Sequence, residues 1–224
     1  MAGSTGAIAF LDDGPKRAAH TVILAHGAGT PMDHPSLSAI AEGIAARGIR
    51  VLRFEFPYMA ARREGARRGP DRATVLMATW RTAIDAAGHP ERLVIGGRSM
   101  GGRIASMVAD EAGVAGLICY GYPFHPPGTP ERLRTEHLEH LATPTVIFQG
   151  ERDPFGSRAE VEGYHLSKAI RVRWMPDGDH ALKPRKSSGF TEAAHVTSVV
   201  EESVAFVLTG ERPHNSRAGK VSTV

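Results

Sequence analysis

The sequence predicts an α/β fold in a single domain, with a mostly parallel central sheet and helices on both of its faces. Its 224 residues suffice for one sizeable core and would be cramped for two. Short, continuously apolar runs alternate with segments whose apolar residues recur at helical spacing, and no internal repeat is found. Continuous apolar runs are typical of strands buried on both faces. The alternation therefore predicts parallel strands, with ligands at their carboxyl ends.

The order of the elements follows from these runs. Seven strands are predicted, over residues 7–14, 21–25, 50–56, 92–97, 116–122, 144–149 and 170–175. Helical spacing predicts five helices, over residues 35–47, 71–87, 100–112, 158–168 and 191–208. Gly48 ends the first helix, and Pro57 and Pro123 break the strands before them. Residues 124–143 are expected to be irregular at first and then polar and helical.

The composition is ordinary for a globular protein and excludes several functional classes. Hydrophobic residues make up 42% and charged residues 23%, and a formal net charge of +3 is only mildly basic, unlike a nucleic-acid-binding protein. The basic cluster at residues 62–68 lacks interleaved aromatics, which indicates a solvated loop. The single cysteine, Cys119, excludes an intramolecular disulfide and a cysteine metal cage, and its apolar neighbours indicate a buried core residue.

The two ends of the chain show no targeting or membrane signal. The first residues lack a basic segment followed by an apolar one, and no run approaches membrane-spanning length. We therefore expect a cytoplasmic protein that binds neither a membrane nor nucleic acid. The folded domain is expected to cover residues 1–209, and the polar residues 210–224 to form a disordered tail. The sequence leaves the oligomeric state open.

The segment around Ser99 carries the strongest catalytic signal. An apolar run at residues 93–95 leads into the pattern Gly-x-Ser-x-Gly at residues 97–101, and a helical pattern begins at once. This order of strand, turn and helix puts a serine at the apex of a sharp turn, where the two glycines remove steric collisions. Gly102 lets the helix pack closely against the strand. The Ser99 hydroxyl is therefore a candidate nucleophile.

A serine hydroxyl needs a base to take its proton, and the base needs a third group to orient it. Among eleven histidines, His180 is the best candidate because it follows the last predicted strand in a glycine-containing loop. Asp153 follows the preceding strand and lies between the serine and the histidine in the chain, as this motif requires. Asp177 and Asp179 are alternatives, but their closeness to His180 favours a role in capping the turn.

Two backbone N–H groups are needed to stabilise the negative charge that develops on a substrate carbonyl oxygen. Met100 begins a helix, so its N–H is free to be one of them. The second is expected from the small residues that follow the strand at 21–25, with Ala28 as the first choice and Gly27 as the next. His26 is expected to brace this loop.

Four side chains near strand ends are candidates for a substrate pocket, namely Tyr58, Phe124, His125 and Arg98. Aromatic side chains in such positions either line pockets or pack at the rim, and the sequence does not decide between these roles. Arg98 and Arg103 flank the serine. They either favour an anionic substrate or pair with helix carboxylates, and both alternatives stay open.

Cofactor and metal motifs are incomplete in this sequence. The stretch Gly27-Ala28-Gly29 is followed by Met32 where a dinucleotide fingerprint needs glycine, and no lysine follows the glycine-rich turn at the serine. His137 and His140 lack the order H-E-x-x-H, which favours a polar helix surface over a metal site. We predict no cofactor and no metal.

On these residues the chain resembles the α/β-hydrolase superfamily over about residues 20–208. The motifs are His26-Gly27-Ala28-Gly29, Gly97-Arg98-Ser99-Met100-Gly101-Gly102, Gly150-Glu151-Arg152-Asp153-Pro154 and Gly178-Asp179-His180. It is most similar to the small dienelactone-hydrolase-like group that includes the testis-expressed and NSL-complex-subunit hydrolase-like proteins. The resemblance implies a single-domain α/β-hydrolase fold with a minimal cap and a Ser99–Asp153–His180 triad. Dienelactone hydrolases proper use cysteine where this chain has Ser99, so their substrate is not carried over.

These observations predict a serine hydrolase that cleaves a carboxylic ester or a thioester of a small molecule through an acyl-enzyme on Ser99. The alternative is a catalytically inactive binding or scaffold protein of the same fold, because the resemblance includes complex subunits. A triad whose three members stand in the expected order favours hydrolysis, since a binding protein has no need of it.

Overall fold

The computed structural model describes residues 8–210, and seven strands form one sheet within them. The strands are β1 (Phe10–Asp13), β2 (Thr21–Ala25), β3 (Arg50–Phe54), β4 (Leu93–Arg98), β5 (Gly116–Tyr120), β6 (Thr145–Gly150) and β7 (Ile170–Met175). Their spatial order is β1-β3-β2-β4-β5-β6-β7. Only β1 runs antiparallel to its neighbour β3, and the other neighbouring pairs are parallel. The predicted mostly parallel sheet is confirmed.

Helices cover both faces of this sheet. They are α1 (Pro35–Ala45), α2 (Pro57–Arg63), α3 (Ala73–Ala87), α4 (Met100–Ser106), α5 (Ala109–Ala112), α6 (Arg158–Val161) and α7 (Glu192–Thr209). Helices α1 and α7 pack on one face, and α2, α3 and α4 pack on the other. Short 3₁₀ turns at Pro90–Arg92, Glu136–Glu139 and Lys186–Ser188 complete the secondary structure of the described part.

Side chains along each central strand alternate between two apolar clusters, one on each face. In β2, Val22 and Leu24 pack with α1 and α7, whereas Ile23 and Ala25 pack towards α2, α3 and α4. All four side chains are fully buried. Burial on both faces explains why these strands read as continuously apolar runs.

Charged side chains fix the edge strand β1 to β3. Asp12 accepts hydrogen bonds from Arg50 at 3.0 and 2.8 Å, and Asp13 accepts one from Arg53 Nε at 2.9 Å. These pairs stand at the end of the strand predicted over residues 7–14, which the structure confirms for residues 10–13. Residue 7 lies outside the described residues.

Three of the predicted helical segments are shorter than expected. The segment 100–112 is divided into α4 and α5 because the N–H groups of Met107 and Val108 bond to carbonyls three residues back, which tightens the turn. Helix α6 covers only the start of the segment 158–168, and the Gly163 N–H again bonds three residues back. Between 124 and 143 only the 3₁₀ turn at Glu136–Glu139 forms.

Helix α2 is absent from the sequence prediction. Pro57 ends the preceding extended segment and also begins this helix, because a proline in the first turn lacks only an N–H that would be unpaired there. The helix includes the first residues of the basic cluster, so the prediction of a loop over 62–68 is wrong at that end. Arg63 donates to Glu55 at 2.8 Å and to Asp33 at 2.7 Å. The cluster is thus partly neutralised by acidic neighbours.

The ends of the described part bear on two further expectations. None of the helices between residues 8 and 210 has both the length and the apolar character that crossing a membrane requires. Helix α7 ends at Thr209, and Gly210 follows it in a left-handed conformation. The rest of the expected tail, residues 211–224, lies outside the described residues.

Candidate active site

Ser99 lies at a sharp turn between β4 and α4, and its backbone is strained. Its φ of 50° and ψ of −117° are values that residues with a Cβ rarely adopt. A Cβ at Gly97 would lie 2.1 Å from the carbonyl oxygen of Ala25, and one at Gly101 would lie 2.5 Å from the same oxygen. The Ser99 N–H donates to the Tyr120 carbonyl at 3.0 Å, which fixes the turn to β5. The glycines therefore permit the turn sterically, as their spacing predicts.

A continuous chain of hydrogen bonds connects Ser99, His180 and Asp153. The distance from Ser99 Oγ to His180 Nε2 is 2.8 Å, and the distance from His180 Nδ1 to Asp153 Oδ2 is also 2.8 Å. Because an ionised carboxylate only accepts, the shared proton of the second bond belongs to Nδ1. Nε2 is then free to accept the proton of the serine hydroxyl. The three side chains come from loops after β4, β7 and β6, which meet at the carboxyl edge of the sheet.

Asp153 is fully buried, and both of its carboxylate oxygens accept hydrogen bonds from groups other than His180. Oδ1 accepts the Phe155 N–H at 2.8 Å, and Oδ2 accepts from Gln149 Nε2 at 2.9 Å as well as from His180. These donors hold the carboxylate in one orientation and offset part of the cost of burying its charge.

The two alternative aspartates have other partners. Asp177 binds the guanidinium groups of Arg185 and Arg152, and its pKa is lowered to about 2, chiefly by the hydrogen bond from Arg185. Asp179 Oδ1 accepts the backbone N–H groups of Ala181 and Lys183 at 2.7 and 3.0 Å. Asp179 therefore caps the loop that carries the histidine, and the structure brings only Asp153 to the His180 ring.

Gln149, at the end of β6, is a site residue that sequence reasoning missed. Its Oε1 accepts the Tyr122 N–H at 2.7 Å, and its Nε2 lies 3.1 Å from the Tyr122 carbonyl oxygen and 3.0 Å from that of Gly156. A third contact of Nε2 is the one to Asp153. The available signal was an amide side chain directly after the apolar run at residues 146–148, four positions before Asp153.

Phe155 is the second residue that the sequence did not single out. Its ring lies against the His180 ring, with the two centroids 4.2 Å apart and the planes tilted by 32°. Phe155 stands two positions after Asp153, in the loop that the carboxylate itself holds through the Phe155 N–H. The same loop thus orients His180 with a carboxylate at one nitrogen and an aromatic face against the ring.

The loop at residues 26–30, which we call the oxyanion loop after the role predicted for it, is held in place by the side chains of His26 and Tyr58. His26 Nε2 accepts the Phe56 N–H at 3.1 Å, so Nδ1 carries the proton and donates to the Gly27 carbonyl at 2.7 Å. Burial lowers the pKa of His26, which keeps this ring neutral. The Tyr58 hydroxyl donates to the Ala28 carbonyl at 2.9 Å, and burial raises its pKa to about 12.

These bonds determine where the Ala28 N–H points. The Gly27 carbonyl and the Ala28 N–H belong to one trans peptide, so they point in opposite directions. Because the carbonyl faces the His26 ring, the N–H faces away from it. Gly27 lies beside the candidate nucleophile, since a Cβ placed on it would be 3.8 Å from Ser99 Cβ. His26 thus braces the loop, as predicted, and the Tyr58 hydroxyl is a second brace.

Three of the four predicted pocket residues lie inside the protein. Tyr58 and Phe124 are completely buried, and His125 is 2% exposed. Phe124 packs against the Tyr164 ring, with the two centroids 5.8 Å apart. A Cβ added to Gly156 would lie 2.7 Å from the Phe124 ring. The prediction that these side chains line an open pocket is therefore wrong. The loop that carries Asp153 folds back over Phe124 and covers it.

Arg98 is the predicted pocket residue that does line a cavity. This cavity has a volume of about 150 Å³ and is also lined by Ala181, the residue after the catalytic histidine candidate. Arg98 Nη1 donates to the Ser36 hydroxyl at 3.4 Å. Arg103 lies instead on the opposite face of the sheet, in α4. There it is near His137, whose pKa is lowered by burial and by the positive charge of Arg103. The two arginines that flank the serine are thus in different environments.

The structure also bears on the expected absence of metal and thiol chemistry. His137 Nε2 is 2.8 Å from the Ser106 hydroxyl, so this histidine is packed against α4 and is not part of a polar helix surface. Within residues 8–210, no group of three or more histidine, cysteine or acidic side chains is arranged to hold a metal ion. Cys119 is buried, as predicted, and burial raises the pKa of its thiol.

Comparisons with known proteins agree with this architecture. A family model described as an alpha/beta hydrolase domain matches residues 18–208. Est1E from Butyrivibrio proteoclasticus, solved with ferulic acid, superposes with a TM-score of 0.65 at 15% identity, over 90% of this chain and 94% of that chain. A dienelactone hydrolase from Anabaena variabilis gives a TM-score of 0.63 at 21% identity, over 87% and 88% of the two chains.

A third solved structure is described as an α/β serine hydrolase without lid, from Xanthomonas campestris. It has a TM-score of 0.60 and 16% identity, and the match covers 92% of this chain and 94% of that one. At these identities the solved structures show a shared fold, and the family model extends over nearly the whole described chain. The chain therefore belongs to the α/β-hydrolase family, and its fold is like that of a dienelactone hydrolase.

Proposed function

We propose that this protein is a serine hydrolase that cleaves a carboxylic ester or a thioester through an acyl-enzyme on Ser99. The observation that carries the proposal is the pair of 2.8 Å contacts that link Ser99, His180 and Asp153 in one line. A nucleophile bonded to a base, with the base bonded to an orienting carboxylate, is the arrangement that activates a hydroxyl. A small-molecule acyl compound is the partner that follows, and a cytoplasmic location stays a prediction from the sequence.

In the proposed reaction, Ser99 Oγ attacks the substrate carbonyl carbon while His180 Nε2 takes the hydroxyl proton. The carbonyl oxygen becomes an oxyanion, which accepts hydrogen bonds from the N–H groups of Met100 and Ala28. The carbon–oxygen or carbon–sulfur bond of the leaving group then breaks, and the leaving group takes the proton from His180. Water repeats the sequence on the acyl-enzyme, with His180 as the base, and releases the acid and the free serine.

An inactive binding protein is the second candidate, and two features weigh against it. Ser99 is held at a positive φ, a strain of about 1–3 kcal/mol that a binding protein has no reason to keep. Asp153 is buried as a carboxylate whose oxygens have donors on every side, an arrangement costly to form and useful chiefly for orienting the His180 ring. Both features support a catalytic role.

The test uses a fluorophosphonate probe, with the adduct measured by intact mass on native protein, on heat-denatured protein and on the Ser99→Ala variant. Ser106→Ala is the matched control, because Ser106 is also bonded to a histidine at 2.8 Å but lies buried within α4. We expect one adduct on native wild type and on Ser106→Ala, and none on Ser99→Ala or on denatured protein. Absence of labelling on folded wild type would refute the activated nucleophile and leave the binding protein as the function.

A second experiment, on unlabelled protein, compares the two types of bond. Initial rates on short-chain 4-nitrophenyl esters and on the corresponding thioesters of N-acetylcysteamine give kcat/KM for the two classes. We expect turnover that Ser99→Ala loses and Ser106→Ala keeps. Labelling without turnover on either series would retain the nucleophile and contradict the proposed substrate class.

A further inference from the structure

The cavity of about 150 Å³ lies between the first turns of α1 and α7 and the loop that follows β7. Two of the residues that line it, Arg98 and Ala181, directly precede Ser99 and follow His180 in the chain. Most of the remaining lining is aliphatic and comes from α1 and α7, as with Ile40 and Val199. Apolar walls with a few polar groups are typical of a small-molecule site.

Arg98 is the cationic group in this cavity, and its charge has no partner there. Its recorded hydrogen bond within the described residues is the 3.4 Å contact to Ser36 Oγ, and no described carboxylate oxygen lies within ion-pair distance of it. Burial lowers the pKa of Arg98, because the guanidinium has lost much of its hydration, although arginine stays charged. The charges of Asp179 and Asp153 act in the opposite direction and raise this pKa, but both carboxylates accept hydrogen bonds from the other groups described above. A guanidinium in this state favours an anion brought by a ligand.

A second observation at the same cavity is a histidine of α7, one of whose ring nitrogens lacks a hydrogen-bond partner within the described residues. His195 is 5% exposed and lines the cavity, and its Nδ1 donates to the Leu182 carbonyl at 2.7 Å. Its Nε2 is buried and has no hydrogen-bond partner among residues 8–210. Glu192, the acidic residue of the lining, is paired with Lys183 at 2.7 Å. The first turns of two helices, 11 and 18 residues long, also face this space and add positive potential.

We propose that this cavity binds a carboxylate carried on a short aliphatic chain of the compound that reaches Ser99, with Arg98 as the anchor. The inference rests on the proposed function and names the substrate class: esters or thioesters of small dicarboxylic acids. A space of about 150 Å³ is large enough for a benzene-sized group, so it accommodates a few carbons and one carboxylate. The aliphatic walls contact the chain, and the guanidinium donates two parallel hydrogen bonds to the carboxylate.

The first arm of the test compares two substrates of the same shape. Monoethyl succinate carries a carboxylate where ethyl 4-methylpentanoate carries two methyl groups, and both release ethanol, which is measured by an enzyme-coupled assay. We expect wild type to prefer the succinate ester. In Arg98→Met the ratio of the two kcat/KM values is expected to fall by about 10- to 100-fold, as for the loss of a charge-assisted hydrogen bond. Arg81→Met, which removes an exposed arginine paired with Glu111, is the matched control and is expected to keep the wild-type ratio.

The second arm measures binding without turnover, so that failure of the function and failure of the site are distinguishable. Calorimetry with succinamate, an unreactive amide, is performed on Ser99→Ala with and without Arg98→Met, and inorganic phosphate is titrated in parallel. Succinamate binding that depends on Arg98 would support the site even if no ester is hydrolysed. Ester hydrolysis with a ratio that Arg98→Met leaves unchanged would overturn the site and leave the function standing. Phosphate binding that depends on Arg98, without succinamate binding, would overturn it in favour of a free inorganic anion.

Discussion

Replacement of Gln149 by leucine tests whether the side chain at the end of β6 holds the acid of the candidate triad. Gln149 is fully buried, and all of its polar atoms are bonded to the backbone of Tyr122, to the Gly156 carbonyl or to Asp153. Leucine has a similar volume and no polar atoms. The substitution therefore leaves the packing nearly intact and removes the hydrogen bonds.

The expected loss of stability follows from the groups that leucine leaves unpaired. The Tyr122 N–H, which now donates at 2.7 Å, would be buried without an acceptor, at a cost of about 1–3 kcal/mol. Asp153 would lose one donor to a buried carboxylate, which costs about 1.5–3 kcal/mol. We expect Gln149→Leu to lower the free energy of unfolding by about 2.5 to 6 kcal/mol, the sum of these two costs. This is a large part of the 5–15 kcal/mol typical of a domain.

Urea unfolding followed by circular dichroism measures this change, and Thr145→Val is the control. Thr145 lies on the same strand, and its hydroxyl makes one hydrogen bond, to the Thr143 carbonyl at 2.8 Å, so its removal costs about 1 kcal/mol. The folded fraction of Gln149→Leu is also expected to lose kcat by about 10- to 100-fold, because the carboxylate no longer has a fixed orientation. A Gln149→Leu variant as stable and as active as Thr145→Val would refute this account of the acid.

Three further outcomes are expected. Tyr58→Phe removes the donor to the oxyanion loop at 2.9 Å, and we expect kcat to fall by about 10-fold with little change in KM, as steady-state kinetics would show. Gly97→Ala places a Cβ 2.1 Å from a carbonyl oxygen of β2 and is expected to abolish soluble folded protein, whereas Gly69→Ala, in open space, is expected to fold normally. Asp177, with its pKa of about 2 beside Arg185, contributes stability above about pH 4 that is lost as the pH falls towards 2, because the unfolded carboxyl binds its proton first. The difference in Tm between wild type and Arg185→Met is therefore expected to shrink over that interval, and a difference that grows would contradict this.

The features that the sequence predicted well are those determined by residues close together in the chain. Steric freedom at the serine turn depends on Gly97 and Gly101, which flank it directly. His180 and Asp153 each follow a strand of the sheet, and parallel strands bring their carboxyl ends to one edge, so the order of elements alone places these side chains near Ser99. Alternation of apolar segments sufficed for the sheet because burial on both faces leaves a continuous apolar run.

The predictions that failed depend on contacts between distant segments. Phe124 follows a strand, as a pocket residue would, but the loop after Asp153 packs against it so closely that a Cβ added to Gly156 would lie 2.7 Å from the Phe124 ring. For Tyr58 the sequence left open whether it lines a pocket or packs at the rim, and in the structure its hydroxyl contacts a carbonyl 30 positions earlier in the chain. Gln149 stands only four positions from Asp153, but its other partners belong to the chain after β5. Nothing in the local pattern encodes these partners.

The polar groups buried around the candidate site are of two kinds. Some are fully hydrogen-bonded within the protein and support the fold, and others have few partners and are available to bind a ligand. His26, Tyr58 and Gln149 have their polar atoms bonded to backbone groups of the segments that follow β2, β3 and β5, around the candidate site. Their loss unpairs the protein's own N–H and carbonyl groups, so it is expected to lower stability and activity together. Arg98 and His195 are also largely buried, but within the described part of the chain the guanidinium makes one long hydrogen bond and Nε2 of the imidazole makes none. Removal of these side chains leaves few other groups of the free protein without a hydrogen-bond partner. We therefore expect it to change selectivity between ligands more than stability, and that contrast distinguishes a binding cavity from a packing defect.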